Sequence, residues 1–108
     1  DGTVLAYGMR GNVWRSADAG ATWSQVDVGS TAAINGGRQL DDGRVVLSGN
    51  GGLLLISRDD GRTFARAAGA AGDLAQVQWL GGDALLLVGA AGIQSFKTVQ
   101  SSTAGTVP

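Results

Sequence analysis

The sequence contains the segment Ser16-Ala17-Asp18-Ala19-Gly20-Ala21-Thr22-Trp23 and, further along the chain, the segment Ser57-Arg58-Asp59-Asp60-Gly61-Arg62-Thr63-Phe64. Both follow one pattern of serine, aspartate, glycine and threonine at alternate positions, with an aromatic residue directly after the threonine. A short carboxylate can accept hydrogen bonds from the N–H groups of its own turn, and glycine adopts a positive φ at little cost. The pattern therefore predicts two equivalent tight turns, and their recurrence predicts an internal repeat.

The repeat extends beyond these two turns. The offset that places Ser16 on Ser57 also superimposes the glycines that flank the apolar runs, and a second, nearly equal offset extends the match to a third copy. A fixed period of this kind is typical of architectures in which each unit packs against its neighbours. The matched positions are Asp1-Gly2 with Asp42-Gly43, Gly8 with Gly49 and Gly89, and Gly11 with Gly52 and Gly92.

Each period contains apolar runs of about five residues that end at glycine or at Asp-Gly, which is typical of short strands joined by hairpins. We predict an all-β chain with ten strands. The alanine-rich run 65–71 is interrupted by Gly69, so a loop is expected there. The predicted strand bounds include 3–7 in the first copy, 32–40, 44–48, 53–57 and 64–67 in the second, and 74–80, 84–88 and 93–96 in the third.

The repeat divides the chain into four segments. Residues 1–30 form a partial unit, 31–72 a complete unit, and 73–99 a partial or degenerate unit. Residues 100–108 are mostly Ser, Thr, Ala and Gly, a composition that predicts a flexible tail.

The two turn segments resemble the Asp-box, also called the BNR repeat, of β-propellers. Together with the glycine-flanked stretches 8–16 and 49–57, they are most similar to the Ycf48-like group of photosystem II assembly factors. The departures are Ala19 and Asp60 where a second glycine is usual, Phe64 in place of tryptophan, and a third copy without a box. The resemblance spans residues 1–96 and implies a partial β-propeller of about two and a half four-stranded antiparallel blades.

The Asp-box interpretation gives its residues folding roles: the aspartates hold the turn, the hydroxyls close it, and the aromatic residues pack beneath it. The alternative interpretation is a calcium site at Asp18, Asp59 and Asp60, which would require several oxygens to converge from separate repeats. The predicted Asp-box residues are Ser16, Asp18, Gly20, Thr22, Trp23, Ser57, Asp59, Gly61, Thr63 and Phe64.

Composition argues against several classes of ligand. A formal net charge of −1 at pH 7 gives no basic footprint for nucleic acid or an anionic membrane. The chain has no cysteine and no histidine, so the usual zinc, copper and haem ligand sets are missing and we predict no cofactor and no metal site. The longest apolar stretch, 84–91, is far shorter than the roughly 20 residues that span a bilayer, so no membrane span is expected.

Catalytic residues are not recognisable in this sequence. All nine acidic residues are aspartates, and Tyr7 lies inside a predicted strand, so the tyrosine, glutamate and arginine set of a sialidase cannot be assembled. We therefore predict a non-enzymatic chain. The alternative is a fragment of a sialidase-like or other Asp-box glycoside hydrolase, or of a carbohydrate-binding propeller, whose two carboxylates could lie on distant blades.

The resemblance implies a protein-binding scaffold or complex assembly factor in an extracytoplasmic compartment. An arginine patch is implicated in partner binding in the Ycf48-like group, which makes Arg10, Arg15 and Arg38 candidate contacts. The alternative interpretation of these arginines is solvated surface charge. Trp14 and Trp79 fall in predicted strands, and we expect them to fill gaps between blades. The alternative interpretation is an exposed indole that stacks on a sugar or anchors a protein interface.

About two and a half blades leave open sheet faces, which a closed propeller would cover. The first residues repeat the hairpin dipeptide Asp42-Gly43, and exposed hairpin tips are preferred sites of proteolysis. We therefore expect a truncated or proteolytic product that covers its faces by self-association or by association with the remaining blades.

Overall fold

The computed structural model describes residues 2–98, which form ten β-strands in three antiparallel sheets. The first sheet contains β1 (Val4–Tyr7), β2 (Val13–Ser16) and β3 (Ser24–Val26). The second sheet contains β4 (Ile34–Gln39), β5 (Val45–Gly49), β6 (Leu53–Ser57) and β7 (Ala65–Arg66). The third sheet contains β8 (Leu74–Gly81), β9 (Ala84–Gly89) and β10 (Gly92–Lys97). Within each sheet, strands that are consecutive in the chain are neighbours.

The all-β prediction is confirmed, and the predicted strand bounds differ from the observed ones by up to two residues. β6 has the predicted bounds, and β7 is two residues long instead of four. Two short 3₁₀ turns, Met9–Gly11 and Asn50–Gly52, were not predicted. Each has a central residue with positive φ, Arg10 at 60° and Gly51 at 69°, which allows the chain to reverse between strands. The predicted flexible tail, 100–108, lies outside the described residues.

The two central strands of the second sheet, β5 and β6, are buried on both faces. Successive side chains of a strand point to opposite faces, so a strand with two covered faces is apolar throughout. In β6, Leu53 and Leu55 pack in a core shared with the first sheet, whereas Leu54 and Ile56 pack in a core shared with the third. The three sheets are therefore stacked in chain order, with one apolar core in each of the two interfaces.

The first strands of the second and third sheets approach each other closely. A Cβ atom on Gly36 of β4 would lie 2.7 Å from the carbonyl oxygen of Ala75 and 2.9 Å from the Oγ atom of Ser48. Real Cβ atoms do not approach other atoms so closely, so the residue at this position must be glycine for β4 and β8 to lie side by side. No helix in the described part of the chain is both long and apolar enough to cross a bilayer.

Candidate functional site

The first predicted Asp-box forms a turn that is closed by its own side chains. Asp18 accepts hydrogen bonds from the Thr22 N–H at 2.8 Å, the Thr22 hydroxyl at 2.6 Å and the Ser16 hydroxyl at 2.7 Å. The Gly20 N–H donates to Ser16 Oγ at 2.8 Å. Hydrogen bonds from Thr22, followed by that from Ser16, lower the pKa of Asp18 to about 2. The carboxylate is therefore ionised and fully used in holding the turn.

The second predicted Asp-box repeats this geometry. Asp59 accepts from the Thr63 N–H at 2.9 Å, the Thr63 hydroxyl at 2.6 Å and the Ser57 hydroxyl at 2.8 Å, and its pKa is also lowered to about 2. The usual second glycine of the box is replaced by Asp60, which nevertheless keeps a positive φ of 66°. Short polar residues tolerate this region better than most, so the turn survives the replacement.

The aromatic residues of the two turns differ in their environment. Trp23 is 43% exposed and donates its indole N–H to the Gly20 carbonyl at 3.1 Å. Phe64 is partly buried against the core between the first and second sheets. Both turns thus have a folding role, and among residues 2–98 no three ligand-type side chains gather in a way that could hold a metal ion.

Arg15, a predicted partner contact, binds across the first two sheets. Its Nε atom donates to the carbonyl oxygen of Asp60 at 2.9 Å, and its Nη2 atom lies 3.1 Å from Asp60 Oδ2. The hydroxyl of Thr3 donates to the same oxygen at 2.8 Å. The Thr3 hydrogen bond, followed by that from Arg15, lowers the pKa of Asp60. Because the Arg15 side chain is only 10% exposed, its contact here is with the fold.

Arg44 forms a network that sequence reasoning missed. Its guanidinium donates to Asp83 at 2.7 Å, to the Thr98 hydroxyl at 2.8 Å and to Asp42 at 2.9 Å, and it also contacts the Gly82 carbonyl. Asp42 is the main cause of the raised pKa of Arg44, and Arg44 in turn lowers the pKa of Asp42. The sequence feature that could have revealed this network is the aspartate beside a glycine in both the β4–β5 and the β8–β9 hairpin.

Arg38, another predicted contact residue, is exposed and lines two adjoining grooves. It lies on β4, and its Nη1 atom is 3.5 Å from Gln78 Oε1, a marginal hydrogen bond. A groove of 170 Å³ lies between β1 and β4, and a second groove of 240 Å³ lies between β4 and β8. Arg38 and Tyr7 line both grooves. Arg10 is exposed on the first 3₁₀ turn and lines a different groove, so the structure does not bring the three predicted arginines together.

The two tryptophans predicted to lie between blades are placed differently. Trp79 is partly buried against the core of the second and third sheets, and its indole N–H donates to the Gly82 carbonyl at 3.0 Å. Trp14 is 42% exposed within the described chain. Its neighbour Val13 faces the second sheet and is fully buried, so the alternation of β2 turns the Trp14 ring outward.

Comparison with solved structures places this stacking of sheets in a known fold. A solved structure described as "YCF48 bound to D1 peptide" matches with a TM-score of 0.74. The three sheets are part of a β-propeller. The match covers 88% of this chain and 34% of the solved chain at 17% sequence identity, so this propeller segment spans about a third of that chain. The predicted likeness to Ycf48 holds at the level of the fold. No family model and no curated protein matches the sequence.

In propeller terms, each sheet is a blade. One groove beside Arg38 lies between β4 and β8, the first strands of the second and third sheets, and the other lies between β4 and β1. This arrangement offers hydrogen-bonding side chains on a rigid support, and the carboxylates with lowered pKa values are already bound within the fold.

Proposed function

We propose that this chain is part of a non-enzymatic propeller scaffold that binds a protein partner. The observation that carries the proposal is the position of Arg38, exposed between two adjoining grooves. An arginine supplies several hydrogen-bond donors in a fixed geometry, and arginines and tyrosines are enriched at the centres of protein interfaces. Arg38 and Tyr7 occur together here.

The charge distribution supports a binding role over a catalytic one. Asp18 and Asp59 are held by their own turns, and Asp60 is held by Thr3 and Arg15. A general acid or base needs a carboxyl group whose pKa is raised toward neutrality, whereas the pKa values of these three aspartates are lowered. Their chemistry is therefore suited to holding turns.

The solved neighbour supports a segment of protein as the partner. Its description states that it is bound to a peptide, and rigid blades allow such a segment to bind with little ordering of the scaffold. By the same likeness we extend the proposal to a role in assembling a protein complex in an extracytoplasmic compartment, with further blades or further copies of the chain completing the ring.

A crosslinking experiment tests the proposal. A photoreactive amino acid replaces Gln78, which lies beside Arg38, and a matched variant carries it at Gln25 of the first sheet. After irradiation in extract of the source cell, we expect a protein adduct from position 78 that disappears in Arg38→Ala and persists in Arg66→Ala. Equal labelling from positions 25 and 78 would contradict a partner site at these grooves. An adduct from position 78 that persists in Arg38→Ala would contradict it as well.

A carbohydrate-binding propeller is the second candidate function. The observation that favours it is the exposure of two tryptophans, Trp14 on β2 at 42% and Trp23 in the turn before β3 at 43%. Exposed aromatic rings can stack on sugar rings and supply apolar contact area. Screening the chain on a glycan array, with Trp14→Ala as the matched variant, tests this candidate. Binding that is lost in this variant would favour it over the protein scaffold.

A further inference from the structure

The sequence contains two copies of the tripeptide Asn-Gly-Gly, at residues 35–37 and 50–52. In an Asn-Gly pair, the backbone nitrogen of glycine can attack the side-chain amide of asparagine, because glycine has no side chain that obstructs a close approach. Ammonia leaves and a succinimide ring forms, which water opens to aspartate or isoaspartate. Since the two copies have the same local sequence, a difference in their reactivity must come from the fold.

The copy at 35–37 is held within a sheet. Asn35 and Gly36 belong to β4, where Gly36 pairs with Ser48 of β5 and is buried. A Cβ atom on Gly36 would lie 2.7 Å from the Ala75 carbonyl oxygen, so the next sheet encloses the backbone at this point. Closure of a ring here would consume the N–H of Gly36 and distort β4. We therefore expect Asn35 to be stable in the folded chain.

The copy at 50–52 lies in an exposed turn. Asn50 and Gly51 are exposed, and the Leu53 N–H donates to the Asn50 carbonyl oxygen, which closes the turn between β5 and β6. Gly51 has a φ of 69°, and a Cβ atom at this position would have no described atom within 4 Å. The space around Gly51 is therefore open, and solvent water can reach the turn.

A carboxylate holds the nitrogen that would attack. The N–H of Gly51 donates to Asp73 Oδ1 at 2.7 Å. The backbone of Asp73 is held in its turn, because its carbonyl oxygen accepts a hydrogen bond from the Ala90 N–H at 2.8 Å. A general base must lie within hydrogen-bond distance of the proton that it removes. Asp73 meets this condition at the nitrogen that must lose its proton.

A side-chain amide holds the group that would be attacked. The Nδ2 atom of Asn35 donates to Asn50 Oδ1 at 2.8 Å and to the Leu74 carbonyl oxygen at 3.0 Å. A carbonyl oxygen can only accept, so the contact with Leu74 orients the Asn35 amide and presents an N–H to the Asn50 oxygen. Negative charge develops on this oxygen during the attack, and a donor aimed at it stabilises the transition state.

We propose that Asn50 is a site of self-catalysed deamidation, in which Asp73 acts as the base and Asn35 stabilises the charge on the Asn50 oxygen. The Gly51 nitrogen forms a bond to Cγ of Asn50 and gives its proton to Asp73. Solvent relays a proton to Nδ2 of Asn50, the Cγ–Nδ2 bond breaks, and ammonia leaves. Water then adds to one of the two ring carbonyls and breaks its bond to the ring nitrogen, which leaves aspartate or isoaspartate at position 50.

The reaction would alter the joint between the second and third sheets. Isoaspartate adds a carbon atom to the backbone of the turn, where a Cβ atom on the neighbouring Gly52 would already lie 2.6 Å from the Ala70 carbonyl oxygen. Aspartate adds a negative charge to the turn that Asp73 binds. We therefore expect the converted chain, separated by chromatography, to melt at a lower temperature than the fresh chain.

Mass spectrometry of proteolytic peptides tests the inference. The whole chain is incubated at neutral pH, either folded or unfolded in guanidinium chloride, and conversion of Asn35 and Asn50 to acids is followed with time. The two residues should convert at equal rates in the unfolded chain. In the folded chain we expect Asn50 to convert at least about fivefold faster than in the unfolded chain, a smaller gain than a positioned base gives in enzymes. Conversion of Asn50 that is slower in the folded chain, or no faster than that of Asn35, would overturn the inference.

Two variants separate the roles of the neighbouring side chains from exposure of the turn. Asp73→Asn keeps an acceptor for the Gly51 N–H but removes the base, and it should slow conversion of Asn50 at least about fivefold. Asn35→Ala removes the donor to the Asn50 oxygen and should slow conversion by a similar factor. The control is Asp27→Asn, at an exposed position after β3, which should react as the parent does. Circular dichroism verifies that the variants are folded, and parental rates in folded Asp73→Asn and Asn35→Ala would overturn the inference.

Discussion

Arg44 of the β4–β5 hairpin binds Asp83 of the β8–β9 hairpin, with its Nη1 atom 2.7 Å from Asp83 Oδ1. The arginine side chain is 10% exposed and the aspartate side chain is 42% exposed, so the charge pair lies at the rim of the interface. Arg44 also holds Asp42 of its own hairpin. One buried guanidinium thus connects two hairpins at the same end of neighbouring sheets.

Replacement of Arg44 should destabilise the chain more than replacement of an exposed arginine. Arg44→Ala removes charged hydrogen bonds to Asp83 and Thr98, and we expect a loss of about 1–3 kcal/mol in the free energy of unfolding. The control is Arg66→Ala, on exposed β7, which should change stability by less than about 0.5 kcal/mol. Urea unfolding measures both, and equal losses would contradict a role for Arg44 in joining the sheets.

Ser48→Ala should be neutral or stabilising. The Ser48 side chain is fully buried, and its Oγ atom has no hydrogen-bond partner among the described residues. A buried hydroxyl without a partner is unfavourable, so its removal should raise stability by up to about 1 kcal/mol.

Ser57→Ala provides the matched comparison. Ser57 is also fully buried, but its Oγ atom accepts from the Gly61 N–H at 2.8 Å and its hydroxyl donates to Asp59 at 2.8 Å. We expect a loss of about 1–3 kcal/mol, measured by the same unfolding experiment. If both alanine variants shift stability in the same direction, the hydrogen bonds of the second turn are not what distinguishes them.

Two neighbouring glycines should respond differently to alanine. Gly51 and Gly52 have φ values of 69° and 73°, so each alanine variant suffers the left-handed strain of about 1–2 kcal/mol. A Cβ at position 51 meets open space, whereas at position 52 it would lie 2.6 Å from the Ala70 carbonyl oxygen. Gly52→Ala should therefore show at least about twice the loss of Gly51→Ala. Thermal melts of both variants test the close approach between the turn and the loop before β8.

Acid should unfold the chain through its two predicted Asp-boxes. The pKa values of Asp18 and Asp59 are lowered from 3.8 to about 2 in the folded state. A carboxyl group whose pKa is lowered by folding stabilises the folded state at pH values above its unfolded-state pKa. This stabilisation disappears as the pH falls toward the folded-state pKa. The melting temperature should fall between about pH 4 and pH 2. The double variant Thr22→Val, Thr63→Val should flatten this dependence, and an unchanged slope would show that other groups control acid stability.

Much of the fold was predictable because it depends on local patterns. The apolar run at 53–57 predicted a strand with the bounds that β6 has, and the glycines predicted the hairpins around it. The positive φ of Gly20 and Gly61 was likewise predictable, because it depends on the residues of each short turn alone. The likeness to a propeller was implied by the resemblance of the two turn segments to the Asp-box.

The contacts between sheets could not be predicted in the same way. The pairing of Arg15 with Asp60 joins residues 45 positions apart, and that of Arg44 with Asp83 joins residues 39 positions apart. Nothing in the local sequence distinguishes these arginines from Arg38, which stays exposed. Their roles depend on how the sheets stack.

The burial of the second sheet has a consequence for the dynamics of the chain. Amide hydrogens exchange with solvent when local or subglobal opening breaks their hydrogen bonds, and in repeat proteins each unit is stabilised by its neighbours. Opening β5 and β6 exposes two cores, whereas opening β2 or β9 exposes one. Deuterium uptake should therefore be slowest in the middle of the chain and faster toward both flanking sheets, so that the molecule frays from its two sides toward its centre.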